Sequence, residues 1–183
     1  MEAISKTSKI ERIIKLTLLA IVGSILITIS AKIQIPFYPV PMTMQTFMVI
    51  FIGIALGWKL GLATVLLYLA EGAIGLPVFA GTPEKGIGIA YMVGTTGGYL
   101  VGFLVAVFFA GFVNLEKSMF KNFFLISFAV STIYLFGLPW LAYLKGWEID
   151  YIYGFKQVIL SDLLKIALVT VISKQTLRIR SLI

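Results

Sequence analysis

The sequence predicts an all-α integral membrane protein: a single transmembrane domain built as a bundle of about six helices, with both termini cytoplasmic and a substrate pocket on the outer side. Three observations lead there. Of the 183 residues, 60% are hydrophobic and only 13% are charged, whereas a soluble domain is about a quarter charged. Such a chain cannot cover its surface with polar groups, so lipid must be its outer solvent. Apolar runs recur at lengths approaching the roughly 20 residues that cross a bilayer core. Finally, the basic residues flank those runs, so the net charge of +7 reads as a topology signal rather than a nucleic-acid surface.

The expected spans are about Ile10–Ile29, Thr43–Leu56, Lys59–Leu76, Tyr91–Val113, Phe120–Tyr143 and Phe155–Lys174. The second is short and joins the third through a tight turn at Gly57-Trp58-Lys59. One side of the bundle collects Lys6, Lys9, Arg12, Lys15, Lys59, Lys117, Lys121, Lys174, Arg178 and Arg180. The other has Lys32, Lys85, Lys145 and Lys156, with Glu84, Glu148 and Asp150 among them. The basic excess assigns the first side, and with it both termini, to the cytoplasm. Tyr143, Trp147, Tyr151 and Tyr153 then fall at the outer boundary, where amphipathic rings are favoured. Glycines recur every four residues at Gly53, Gly57 and Gly61 and again at Gly94, Gly98 and Gly102. That spacing predicts close helix packing inside the bundle.

Function classes narrow quickly. With no cysteine and no histidine, disulfides, thiol nucleophiles, imidazole bases and the usual soft metal sites are excluded. No catalytic constellation and no resident cofactor or metal is expected. Two outer connections are unusual. The stretch Pro36-Phe37-Tyr38-Pro39-Val40-Pro41 is apolar yet rich in proline, so it is extended and suited to lie over the bundle mouth as a lid. The stretch Gly75 to Gly88 mixes glycine, proline and Phe79, and its backbone groups need partners that hydrocarbon cannot supply.

Three ionisable residues lie within the spans, all in their outer halves: Glu71, Asp162 and Lys165. A charge near the bilayer centre costs about 2.5–3.5 kcal/mol on insertion scales, so each should face a partner or a cavity. Asp162 and Lys165 are three apart and share a helix face. They read either as a neutralised helix lock or as a pocket that takes a ligand with N–H, carbonyl and acid groups. Glu71 reads either as a bond to a neighbouring helix or as a support for the second outer connection. One outward site with no inner counterpart suits a capture module, because alternating-access carriers place their sites near the midplane.

Four ordered pieces of the sequence resemble the BioY family, the biotin-specific substrate-capture (S) components of energy-coupling-factor (ECF) transporters. They are Ile35 to Phe47, Tyr68 to Gly81, Gly94 to Phe103, and Asp162-Leu163-Leu164-Lys165. Thr95 and the run Thr82-Pro83-Glu84-Lys85 depart from the family's common residues. The resemblance implies biotin as ligand, bound from outside, in a multi-pass protein of a prokaryotic cell membrane. It implies as partners a transmembrane scaffold (T) subunit and two ATPase subunits that use ATP, so that the chain itself is not an enzyme. It also implies that Asp162 and Lys165 hold the polar groups of biotin. Thr43, Gln45, Phe79, Gly81, Tyr91 and Tyr99 are further candidates for substrate contact, and Ala20 and Ser24 on the first helix are candidates for the scaffold interface. Two alternatives remain open: a capture component for another vitamin, and a stand-alone or proton-coupled carrier.

Overall fold

The computed structural model describes residues 2–35, 42–113, 116, 118–149, 159–176 and 180. Helix α1 spans Glu2–Lys32 and is followed by two short antiparallel strands, β1 (Gln34–Ile35) and β2 (Met42–Thr43), paired Gln34 to Thr43 and Ile35 to Met42. Then come α2 (Gln45–Ala73), α3 (Gly88–Met92), α4 (Gly97–Ala110), α5 (Met119–Lys145), α6 (Trp147–Ile149) and α7 (Ile159–Ser173), which a short 3-10 turn, Lys174–Thr176, extends. The proline-rich stretch from Pro36 to Pro41, with Phe37, Tyr38 and Pro39, lies outside the described residues. Its described flanks are the β1–β2 ladder.

By length and composition, Ser8–Lys32, Gln45–Ala73 and Met119–Lys145 are each apolar enough to cross a membrane. The 29 residues of α2 would extend about 44 Å if straight, but they do not run straight. Gly57 has φ 74° and ψ 171°, a conformation open to glycine and not to other residues. There the chain folds back. A β-carbon placed on Gly61 would lie 3.2 Å from the α-carbon of Gly53, although residues eight apart in one helix are about 12 Å apart. So α2 is two limbs around a turn at Gly57, where the sequence placed one.

The stretch expected as a single span from Tyr91 to Val113 is interrupted instead. Between α3 and α4 the chain turns through Val93–Thr96, closed by bonds from Gly94 N to Tyr91 O (3.0 Å) and from Gly97 N to Gly94 O (3.1 Å). The indole of Trp140 on α5 donates to the same Gly94 O at 2.8 Å, a second donor on the carbonyl at the break. In return, the turn lets Tyr91 and Tyr99 approach the bundle interior from separate short elements.

Helix α4 packs on α5 and on both limbs of α2, α1 lies against α2, and α7 fits beside α5 and α2. The glycine series make these approaches close. A β-carbon on Gly98 would stand 2.4 Å from Phe136 O and from the Trp140 β-carbon, and one on Gly102 would stand 2.6 Å from the Ile133 α-carbon. The backbones therefore touch where any larger residue would force them apart. At one end of the bundle Trp140 meets Gly94 and Lys32 meets Phe79 and Thr82. At the other, Gly111 lies against Trp58, and Arg180 donates to Val113 O and Gly111 O. The core is apolar and aromatic, with Tyr68, Phe79, Ile54, Ile126 and Leu141 fully buried. The exterior is apolar too: Ile13, Leu18, Ile25, Phe120, Phe124, Phe128 and Leu164 are exposed, which suits lipid and not water.

Candidate functional site

A cleft of about 560 Å³, open mouth included, lies among α2, the segment before α3, α4, α5 and α7. Only about 50 Å³ of it is wide enough for the centre of a water molecule, so a ring-sized ligand requires the walls to part. Of the residues singled out from sequence, Asp162, Lys165, Thr43, Gln45, Tyr91 and Tyr99 all line the cleft. Elements remote in sequence converge on it.

Its polar centre is on α7. Asp162 sits in the first turn of that helix, where the helix dipole favours a negative charge. Lys165, one turn on, donates to Asp162 Oδ1 at 2.7 Å. The other carboxylate oxygen, Oδ2, accepts the hydroxyl of Tyr134 from α5 at 2.6 Å. The side chains of the pair are only 8% (Lys165) and 5% (Asp162) exposed. Two charges withdrawn this far are tolerable because they face each other, and removing one partner of such a pair costs about 3–5 kcal/mol. Each carboxylate oxygen still has a lone pair to offer. The ammonium has three donors, of which Asp162 occupies one. Helix lock and ligand site are therefore compatible: the pair neutralises itself and still presents acceptor and donor to the cleft.

The apolar wall consists of Tyr99, Leu100 and Phe103 on α4, Ile133 on α5, and Tyr91. Tyr99 meets Tyr134 edge-on, with ring centroids 6.4 Å apart. On the α2 side, Gln45 Nε2 donates to the Tyr68 hydroxyl at 2.7 Å, and that hydroxyl donates onward to Val78 O at 3.1 Å. Thr43 Oγ1 accepts the amide of Gln45 at 3.2 Å, placing the base of the β1–β2 ladder at the rim.

Phe79 and Gly81 are not on the cleft surface. Phe79 is fully buried behind Tyr91, stacked on it at 4.9 Å, and it meets Tyr68 edge-on at 5.4 Å. The ring fits there because Gly72 has no side chain: a β-carbon on Gly72 would come 1.9 Å from the ring. Gly81, at φ 72°, turns the backbone, and the side chain of Lys85 packs against it. Ala80, between them, is the residue of this segment that reaches the cleft.

Glu71 does not line the cleft either. It accepts a hydrogen bond from Ser24 of the neighbouring helix α1. The same bond removes Ser24 from the outer face of α1. Ser24 is 0% exposed and Ala20 is 8% exposed, and both turn inward as α1 packs on α2. The outward face of α1 carries Ile14, Leu18, Ile21, Val22, Ile25 and Ile29 instead. The small residues expected to meet a scaffold are used within the fold, because they let α1 lie close to α2.

The roles of Tyr134 and Lys32 were not evident in the sequence. Tyr134 sits amid an apolar helix and carries no local signal; only its distance in space to Asp162 reveals it. Lys32 counted as an ordinary end-of-helix cation, yet it bonds to the segment that carries Ala80.

Apolar helices closed round one cleft, with a buried acid–base pair at its centre, define a membrane-embedded small-molecule binding protein. A family model described as the BioY family matches residues 4–181, and the chain belongs to that family. It is 38% identical over 150 residues to a protein of Pyrococcus horikoshii named as a probable biotin transporter, covering 82% of this chain and 88% of that one. It is 45% identical over 95 residues to a biotin transporter of Thermotoga maritima, covering 52% of this chain and 54% of the other. Among solved structures, the crystal structure of an S-component for biotin from an ECF-type ABC transporter superimposes with a TM-score of 0.75 at 26% identity, covering 92% of this chain and 93% of that one.

Proposed function

We propose that this chain is the biotin-capturing S component of an ECF-type transporter in a prokaryotic cell membrane. The observation that carries the reading is the cluster of Asp162, Lys165 and Tyr134 buried in a cleft whose other walls are aromatic and aliphatic. Biotin has the matching chemistry: a ureido group with N–H donors and a carbonyl, an apolar thioether ring, and a carboxylate on a flexible chain. Asp162 accepts ureido N–H. Lys165 offers its remaining donors to the ureido carbonyl or to the carboxylate. Tyr91, Tyr99, Leu100 and Phe103 cover the apolar ring, while Thr43 and Gln45 contribute polar groups at the rim.

The chain makes six crossings: α1, the two limbs of α2, α4, α5 and α7. The folding back at Gly57 supports this count, as do the contacts that group Lys32, Thr82, Gly94 and Trp140 at one end and Trp58, Gly111 and Arg180 at the other. The basic excess at the second end puts it, with both termini, in the cytoplasm, and the cleft therefore opens outward. Energy comes from separate ATPase subunits joined through a transmembrane scaffold. Any contact of that scaffold with α1 uses its outward face from Ile14 to Ile29.

The test is uptake of labelled biotin in cells lacking their own biotin transporter, with and without the scaffold and ATPase subunits. Accumulation above equilibrium only with all subunits supports the assignment. Uptake driven by the proton gradient without them favours a stand-alone carrier, and capture of a different vitamin moves the ligand within the same architecture.

A further inference from the structure

We infer that Lys32 is a positioning residue for the ligand site, acting through the backbone of Phe79–Thr82. It is the last residue of α1, and a cation there is favourable for the helix dipole alone. Its ammonium does more than that. Nζ donates to Phe79 O, Thr82 O and Thr82 Oγ1, each at 2.9 Å. Those are three acceptors for three N–H groups, all from a segment 47 to 50 residues away. The Thr82 hydroxyl in turn donates to Phe79 O at 2.7 Å, closing the cluster.

The two carbonyls bracket Ala80, which lines the cleft. The carbonyl of Ala80 accepts the hydroxyl of Tyr91 at 2.8 Å, and Tyr91 is also on the cleft wall, backed by the ring of Phe79. With Tyr68 on Val78 O, side chains from α1, α2 and α3 hold the carbonyls of Val78, Phe79, Ala80 and Thr82. This stretch has no regular structure, so such partners are what fix it. Lys32 is the charged member of the set and the one supplied by α1. An ammonium can direct three donors at acceptors clustered around one point, which a neutral side chain of similar length cannot do. Withdrawing it takes the cation from Phe79 O and Thr82 O, leaving Phe79 O only the hydroxyl and amide of Thr82, and loosens Ala80 and Tyr91 together, without touching Asp162 or Lys165.

The inference rests on the cleft being the biotin site, and its test separates the two. In Lys32→Met, biotin should dissociate roughly tenfold faster, while the thermal midpoint without ligand stays close to that of the wild type. Independently of any ligand, the amides of Thr82, Lys85 and Gly86, which close this segment on Phe79, Gly81 and Pro83, should exchange roughly tenfold faster or more, with α4 and α5 unchanged. Thr82→Val, which removes one acceptor and leaves the cation, should move both readouts in the same direction by roughly threefold. The double variant should be no worse than Lys32→Met. Unaltered local exchange in either folded variant overturns the positioning role whatever the ligand proves to be. Faster exchange with an unaltered biotin off-rate overturns its link to the site. Variants that exchange as predicted beside a wild type that binds no biotin defeat the ligand assignment and leave the positioning of this segment by Lys32 standing.

Discussion

Replacing Gly72 by alanine should damage stability and ligand binding together, through a ring that never touches ligand. The added β-carbon would stand 1.9, 2.2 and 2.7 Å from three atoms of the Phe79 ring, where carbon atoms rest at about 3.5–4.0 Å. The ring must therefore move by about 1.5 Å or more. It has nowhere free to go, being fully buried between Tyr68 and Tyr91. Overpacking of this kind costs about 1–3 kcal/mol, and each of the two disturbed aromatic pairs adds about 0.5–1.5 kcal/mol, so a loss of about 2–6 kcal/mol is expected. Tyr91 shifts with the ring, and biotin affinity falls with it. The assay is equilibrium unfolding in detergent and biotin titration of Gly72→Ala, Phe79→Leu and the double variant. The smaller side chain should relieve part of the clash, making the double variant more stable than the sum of the single losses predicts. Strictly additive losses, or a Gly72→Ala protein as stable as the wild type, would refute the reasoning.

Other outcomes follow from the same geometry. Tyr134→Phe removes the donor on Asp162 Oδ2; a hydrogen bond to a charged group contributes about 1.5–3 kcal/mol, so titration should show biotin affinity reduced by about tenfold with the fold intact. Glu71→Ala breaks the Ser24 contact between α1 and α2 and should cost about 1–3 kcal/mol of stability, read by thermal unfolding, with biotin affinity little changed because Glu71 is not on the cleft. Gly98→Ala forces α4 from α5 at Phe136 O and Trp140; it should lower the yield of folded protein and the thermal midpoint, since overpacking costs about 1–3 kcal/mol or more.

Much of this was legible in the sequence because the bilayer constrains it so strongly. Long apolar runs had to be helices, and Gly57-Trp58-Lys59 marked the turn that divides α2. The spacing of Asp162 and Lys165 puts them on one helical face, and their cost in hydrocarbon demands a partner. What escaped the sequence was tertiary. The break between Met92 and Gly97 lies in an apolar, glycine-rich stretch whose hydropathy resembles that of a helix; the Trp140 indole that donates to Gly94 O there is distant in the chain. Phe79 read as a surface for ligand because aromatic residues near a mouth often are, but the space left by Gly72 drew it inward. Ser24 and Ala20 showed the right spacing for an interface, and small residues at that spacing serve an internal contact equally well. Lys32 and Tyr134 gave no local sign because their meaning depends on acceptors far away in the chain.

The most direct test of the central claim is equilibrium binding of biotin to the purified protein, wild type against Asp162→Asn and Lys165→Ala. The account predicts saturable binding by the wild type, weakened by at least about tenfold, or 1.4 kcal/mol, in each variant. A well-folded wild type that binds no biotin, or variants that bind it as the wild type does, would contradict it.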